Sequence, residues 1–325
     1  MRAIIHLGFG KTATTTLQRD ILPYLEENEI IEIIDTTKIE EDFMNFILFD
    51  DVPKPFSFKE NGKIKFVSLE SLIGWNPYSW SKCFEFNKLY FPKQSEIMIT
   101  FRRQEDYLNS VYIQMLHQGE SDLLPGDFFI DSINHNRFAK LLGNSIFLST
   151  RHFNIDLFNY NTIAELYPSY FNKCYFFDIE SILSQSFLKY LFDEISFKKI
   201  PINSYNKSYS LKSVKFDRKR YKLLKKLNLR PISTTHQILF MKLPSFLLHY
   251  QNQKVKSSNI IKSAIKYVLF PIYLLKILFF NWRHFLQGYV SILFPKKYLI
   301  ETKEVIRFYD ENEKFYDSLP LKIEI

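Results

Sequence analysis

Apolar and polar positions alternate in short, regular blocks over residues 1–200. Runs such as residues 3–7 (AIIHL) and 96–101 (EIMITF) have the length and apolar content of buried strands. The pattern predicts strands at residues 3–7, 30–34, 63–69, 96–101 and 173–177, and helices at residues 12–25, 104–117 and 179–190. Strands that alternate with helices are typical of an α/β fold, so we expect a central parallel sheet flanked by helices.

The strand pattern largely disappears after residue 200. Residues 211–229 read as a very basic helix, and residues 298–319 as a final helix of mixed charge. We therefore predict a core at residues 1–200 and a basic, mainly helical extension at residues 201–325 that completes the same domain. Within the extension, residues 267–282 form an apolar segment.

This apolar segment is too short for a membrane span. Pro271 and Lys276 interrupt it, and a spanning helix needs about 20 mostly apolar residues. It is either a buried helix of the core or a helix that lies on an anionic bilayer.

Composition and charge narrow the class of protein. The chain has 325 residues, of which 46% are hydrophobic and 24% charged, which excludes a disordered tail or a fibrous repeat. The net charge of +8 is uneven, because residues 181–300 hold 22 lysines and arginines against three acidic residues. The C-terminal third is therefore expected to contact an anion, which composition leaves open as nucleic acid, an anionic membrane or a polyanionic substrate.

The first candidate site is a glycine-containing turn at residues 4–18, IIHLGFGKTATTTLQ. It leaves a predicted strand and enters a helix, whose N-terminal N–H groups and dipole favour an anion. Lys11 adds a positive charge. Four threonines follow it, and their hydroxyls can donate to phosphate oxygens: Thr12, Thr14, Thr15 and Thr16. The nucleotide P-loop pattern fails here, because its first glycine would fall at Ile5.

A second candidate site follows the strand at residues 96–101. Arg102 stands at the end of this strand, and Ser110 follows eight residues later within a predicted helix. A guanidinium fork with a hydroxyl beside it suits a phosphate group. Arg103 is the competing arginine, and the spacing favours Arg102.

Together, the two motifs resemble those of the sulfotransferases that use 3′-phosphoadenosine 5′-phosphosulfate (PAPS), in particular the bacterial carbohydrate-type enzymes. The segment HLGFGKTATTTLQ is similar to the family's 5′-phosphosulfate loop, H-x-G-x-x-K-T-G-T-T-x-L-Q, except that Ala13 replaces the usual glycine. Arg102 and Ser110 match the family's 3′-phosphate motif. Weaker likenesses are residues 65–72 (KFVSLESL) and a closing helix that contains Asn312.

The resemblance implies a P-loop NTPase-like fold and transfer of a sulfuryl group from PAPS to a hydroxyl or amine. It places the co-substrate on Arg102, Ser110 and the loop from Gly10 through Lys11, Thr12, Ala13, Thr14 and Thr15 to Thr16. Lys11 would stabilise the leaving phosphate. Glu70, at the end of a predicted strand, is the expected general base, with His117 as second candidate. No metal is expected, because the sequence has no Cys/His cluster at ligand spacing.

The resemblance also indicates a carbohydrate or glycolipid acceptor. We expect a cytoplasmic protein, with peripheral contact to the inner face of the membrane as an open alternative. Two other functions stay open at this point: a kinase of the P-loop class that uses ATP, and a basic nucleic-acid-binding protein. Nucleic acid is the least favoured partner, because no recognised binding module is present.

Overall fold

The computed structural model describes residues 2–118, 123–148, 152–192, 199–202, 214–215 and 307–324. The chain divides into two compact units. The first comprises Met1–Tyr112, Leu124–Lys207 and Glu301–Ile325, and the second comprises Ile113–Leu123 and Ser208–Ile300. Almost all described residues belong to the first unit. The division into residues 1–200 and 201–325 stays a prediction.

Six strands of the first unit form one sheet, and two short strands form another. The strands are β1 Ala3–Gly8, β2 Ile31–Ile33, β3 Ile64–Ser68, β4 Glu96–Phe101, β5 Phe129–Ile130, β6 Phe153–Asn154, β7 Lys173–Asp178 and β8 Leu321–Glu324. The main sheet has the order β2-β3-β1-β4-β7-β8, and the small one pairs β5 with β6. Only β8 runs antiparallel to its neighbour in the main sheet. The expected α/β fold with a central parallel sheet is confirmed.

Helices connect the strands and cover the sheet. The α-helices are α1 Thr14–Thr16, α2 Leu22–Glu27, α3 Thr37–Phe49, α4 Trp80–Tyr90, α5 Gln104–Gln118, α6 Pro125–Phe128, α7 Ser132–Leu142, α8 Tyr160–Leu166, α9 Ile179–Ser184, α10 Phe187–Leu191 and α11 Tyr309–Asp317. The π-helical turn Leu17–Ile21 joins α1 to α2, so that residues 14–27 form one helical run. Its apolar side packs into a core formed with β1, β3 and β7.

The strand order decides where a binding site can form. Strand β1 lies between β3 and β4 and is parallel to both, with Gly8 opposite Thr100 and His6 opposite Ser68. The loops that leave the carboxyl ends of these three neighbours therefore meet at one edge of the sheet. In open α/β sheets, ligands bind in the crevice outside these ends.

Three predicted helices differ from the structure. The first begins at Thr14 and not at residue 12, because Ala13 before it is left-handed. The helix at residues 179–190 is broken at Gln185, which is also left-handed, at φ 65°. The predicted helix at residues 298–319 lies outside the described residues up to residue 306. In the part that is described, Phe308 has φ 52° and α11 begins only after it, at Tyr309.

Strand β8 is an element that the sequence pattern did not predict. Its four residues alternate between half-buried and exposed positions at the edge of the sheet. The C-terminal part, which we expected to be helical, therefore also contributes an antiparallel strand to the edge of the central parallel sheet. A four-residue edge strand carries too few buried side chains to give a clear apolar alternation.

The basic helix predicted at residues 211–229 lies outside the described residues except for residues 214–215, which are helical. The apolar segment at residues 267–282 lies wholly outside them. Within the described ranges, no helix is long and apolar enough to cross a membrane.

Candidate functional site

The loop between β1 and α1 has two residues of positive φ separated by one residue, a backbone pattern that favours an anion-binding nest. Lys11 and Ala13 both have positive φ, at 70° and 62°, whereas Thr12 between them does not. Alternation of left- and right-handed residues turns successive N–H groups toward one side, where they form a concave cradle for an anion. Ala13 therefore holds a left-handed conformation that glycine would adopt without steric cost.

Two glycines of the loop are required by close approach. A Cβ on Gly10 would lie 2.3 Å from two ring carbons of Trp75, and a Cβ on Gly8 would lie 2.7 Å from the Thr14 hydroxyl. The half-buried indole of Trp75 thus packs directly on the backbone of the loop. Phe9 anchors the turn from the other side, because it is buried against the aromatic rings of Trp80, Phe101, Tyr107 and Tyr160.

Lys11 and Glu70 are close enough to affect each other's titration. Burial lowers the pKa of Lys11, the charge of Glu70 opposes that shift, and the charge of Arg102 adds to it. Burial raises the pKa of Glu70, and both the Thr14 hydroxyl and Lys11 oppose this. An ammonium, a guanidinium and a carboxylate therefore share one partly desolvated site at the ends of β1, β4 and β3.

The side chain of Arg102 is held in place by hydrogen bonds in a position from which it could bind an anion. Its Nη1 donates to Ser110 Oγ at 2.9 Å and to the Lys11 carbonyl at 3.3 Å. The Arg102 carbonyl accepts a bond of 2.6 Å from the buried Tyr160 hydroxyl. Arg102, Ser110 and the loop are thus brought together, and the guanidinium has donors left for a further acceptor.

Arg103 points to a different partner. It donates to Glu313 and, at 2.9 Å, to Asp317, both on α11, and its guanidinium lies over the ring of Tyr316. Neighbouring arginines at the end of β4 therefore separate into one that contacts the loop and one that contacts the C-terminal helix.

The threonines of the loop are not equivalent. Thr12 Oγ1 donates to the Phe9 carbonyl at 2.6 Å, so its one hydroxyl proton is used inside the loop and only its backbone N–H is available to an anion. Thr14 Oγ1 is buried without a hydrogen bond of ordinary geometry. Thr15 is half-buried and Thr16 is buried.

His117 occupies the end of α5, and its side chain lies outside the described part of the structure. Among the described residues, no group of three or more His, Cys, Asp or Glu side chains could hold a metal ion.

Sequence reasoning missed a layer of polar side chains under the loop. His6, Ser68 and Thr100 are buried and hydrogen-bonded to one another across β1, β3 and β4. A polar residue within or at the end of an otherwise apolar run was the available signal, since AIIHL, FVS and IMIT each contain one. Trp75 was also missed, and no periodicity could have identified its contact with Gly10.

No family model matches this chain, and no curated protein matches it either. Among solved structures, it is similar to the crystal structure of a sulfotransferase from Alicyclobacillus acidocaldarius. The two are 13% identical, the match covers 70% of this chain and 96% of the other, and the TM-score is 0.41. At this identity and TM-score, the similarity indicates nothing about the function of this chain.

Proposed function

We propose that this protein is a PAPS-dependent sulfotransferase. One observation carries the proposal: a lysine in an anion-binding loop, a carboxylate and an arginine–hydroxyl pair meet at the carboxyl ends of three adjacent parallel strands. A phosphate loop with an arginine–hydroxyl pair beside it, both within one site, fits a ligand with two phosphates. PAPS has this chemistry, with one phosphate at the 5′ position and one at the 3′ position.

The proposed binding roles follow from the donors. The N–H groups from Gly10 to Thr16 and the Lys11 ammonium hold the 5′-phosphosulfate. Arg102 and Ser110 hold the 3′-phosphate, with the Arg102 carbonyl fixed by Tyr160. When bound, PAPS supplies the sulfuryl group whose bond to phosphate breaks as its bond to the acceptor oxygen forms.

The proposed catalytic roles belong to Lys11 and Glu70. Lys11 stabilises the negative charge that grows on the departing phosphate. Glu70 accepts the proton of the acceptor hydroxyl, and its raised pKa makes it a better base than an exposed carboxylate. His117 stays the second candidate for this base.

Binding of adenosine 3′,5′-bisphosphate tests the co-substrate. In isothermal titration, we expect it to bind at least tenfold more tightly than AMP, which lacks the 3′-phosphate. Arg102→Ala should remove this preference, because a hydrogen bond to a charged group contributes about 1.5–3 kcal/mol. Arg103→Ala is the matched control and should keep it. Tighter binding of ATP or of an oligonucleotide would instead favour a kinase or a nucleic-acid-binding protein.

Transfer of radiolabelled sulfate from PAPS to a panel of sugars and glycolipids tests the reaction. We propose a carbohydrate or glycolipid acceptor, supported by the family resemblance. Lys11→Ala should abolish transfer, and Glu70→Gln should lower its rate by about 100-fold, within the usual range of general-base catalysis. Full activity of either variant would remove its assigned role.

The strongly basic residues 181–300 support a proposed contact with an anionic membrane from the cytoplasmic side. Co-sedimentation with vesicles that contain phosphatidylserine should detect this contact at low salt and lose it at high salt. Absence of binding at low salt would contradict it.

A further inference from the structure

A chain of buried hydrogen bonds connects the three strands that carry the candidate site. On one side, His6 Nδ1 lies 2.8 Å from Ser68 Oγ, and Gln18 Nε2 donates to Ser68 Oγ at 3.1 Å. On the other side, His6 Nε2 lies 3.4 Å from Thr100 Oγ1, which lies 2.6 Å from Thr12 Oγ1. The chain ends at the bond from Thr12 to the loop carbonyl already described.

The direction of every bond in this chain follows from its two ends. Thr12 gives its only hydroxyl proton to the Phe9 carbonyl, so Thr100 must donate to Thr12. Thr100 Oγ1 then has no proton left for His6, and His6 Nε2 must carry the proton that joins them.

The tautomer of His6 is fixed by the same logic. Burial keeps this fully buried imidazole neutral by lowering its pKa to about 3. With the single ring proton on Nε2, Nδ1 is an acceptor and takes the Ser68 hydroxyl proton. Ser68 Oγ in turn accepts from Gln18. The ring proton of His6 and the hydroxyl protons of Ser68, Thr100 and Thr12 then all point in one consistent direction along the chain.

We propose that His6, as the neutral Nε2–H tautomer, is a positioning residue that holds the phosphate loop and the strand end before Glu70 in register. Its Nε2 arm runs through Thr100 to the loop that carries Lys11. Its Nδ1 arm runs to Ser68, two residues before Glu70. The tautomer follows from the hydrogen bonds alone, whereas the positioning role rests on the proposed sulfotransferase function.

The two arms predict separate kinetic defects. Thr100→Val cuts the arm to the loop and should weaken binding of adenosine 3′,5′-bisphosphate by about tenfold, as expected for a lost buried hydrogen bond. Ser68→Ala cuts the arm to β3 and should lower kcat by a similar factor, with bisphosphate affinity within about twofold of wild type. A merely structural role would move stability in both variants without this split.

Variants of His6 itself separate the arms in another way. An asparagine side chain has its oxygen near the position of Nδ1, so His6→Asn should retain the bond to Ser68 and resemble Thr100→Val. His6→Phe keeps the ring and loses both arms, so it should show both defects. Thr162→Val, at an exposed position of α8, is the matched control for the threonine change and should show neither.

Nuclear magnetic resonance of the full-length protein with 15N-labelled histidine tests the tautomer without any ligand. We expect one imidazole, absent in His6→Asn, to be neutral with its proton on Nε2 from pH 8 to pH 5. A proton on Nδ1, or a charged ring at pH 6, would overturn the inference. If wild-type protein binds no bisphosphate, the proposed function fails, and the tautomer alone then decides whether the hydrogen-bond chain is as inferred.

Discussion

At the scale of single residues, Ala13 is the position where the phosphate loop departs from the loop that it resembles, and its backbone shows why the departure matters. Ala13 has φ 62° and ψ 18°, a left-handed conformation that costs an L-residue about 1–2 kcal/mol. The sequence showed that glycine was missing here. Only the structure shows that the alanine keeps the conformation a glycine would adopt.

Ala13→Gly should therefore relieve strain without changing the loop. Relief of the left-handed alanine competes with the greater freedom of glycine in the unfolded chain, so we expect stability to stay equal or to rise by up to about 1 kcal/mol. Ala139→Gly, within the right-handed helix α7, is the matched control and should lose about 1 kcal/mol. Urea unfolding measures both, and a loss at position 13 as large as at position 139 would contradict the left-handed assignment.

Gly10 gives the opposite prediction, since here any side chain must displace a neighbour. Gly10→Ala places a Cβ 2.3 Å from the Trp75 ring, so we expect binding of adenosine 3′,5′-bisphosphate to weaken by at least tenfold. Trp75→Ala in the same chain should restore much of the affinity by making room. Gly126→Ala is the control, because a Cβ there has no atom within 4 Å. An unaffected Gly10→Ala protein would show that the indole does not lie on the loop.

At the scale of secondary-structure elements, the sequence predicted most of what positions the site. Strand β4 agrees with its predicted bounds, and β1, β2, β3 and β7 agree within two residues at either end, because buried parallel strands are continuous apolar runs. The C-terminal elements could not be read in this way. Helix α11 is mostly polar, and only a few of its side chains are buried, namely Asn312, Phe315 and Tyr316.

The contacts of helix α11 include one buried amide and exposed ion pairs, and these two kinds of contact should differ in strength. Asn312 is fully buried, accepts from the Tyr160 N–H at 2.7 Å and donates to the Phe158 carbonyl at 3.0 Å. Asn312→Ala leaves two buried backbone groups unpaired, at about 1–3 kcal/mol each. Arg103→Ala should cost less than about 1 kcal/mol, because its ion pairs are exposed to solvent.

Urea unfolding followed by the fluorescence of Trp75 and Trp80 measures both losses. Equal losses would mean that the ion pairs, and not the buried amide, attach the helix. The amide of Asn312 fastens helix α11 to the backbone of residues 158 and 160, at the start of α8.

At the scale of the whole molecule, most of the excess positive charge lies in a different part of the sequence from the residues of the candidate site. The candidate site uses a few cations and loop N–H groups in the described part of the first unit, whereas the excess of lysine and arginine falls in residues 181–300. The net charge therefore says little about the co-substrate. The apolar segment at residues 267–282 lies among those basic residues, a combination that suits an anionic membrane surface. Binding experiments with vesicles are therefore the way to identify their partner.

The first unit should lose stability in mild acid because two buried histidines are held neutral. Burial lowers the pKa of His6 to about 3 and that of His135 to about 4, the latter with help from His152. Unfolded histidines titrate near 6.5, so below that pH the unfolded chain binds protons that the folded chain does not, and stability falls as pH falls. With both groups contributing, the slope approaches about 2.7 kcal/mol per pH unit near pH 5. His6→Asn and His135→Gln should each remove about half of it in urea titrations between pH 7 and pH 5, and a slope that neither variant changes would mean that other groups cause the acid sensitivity.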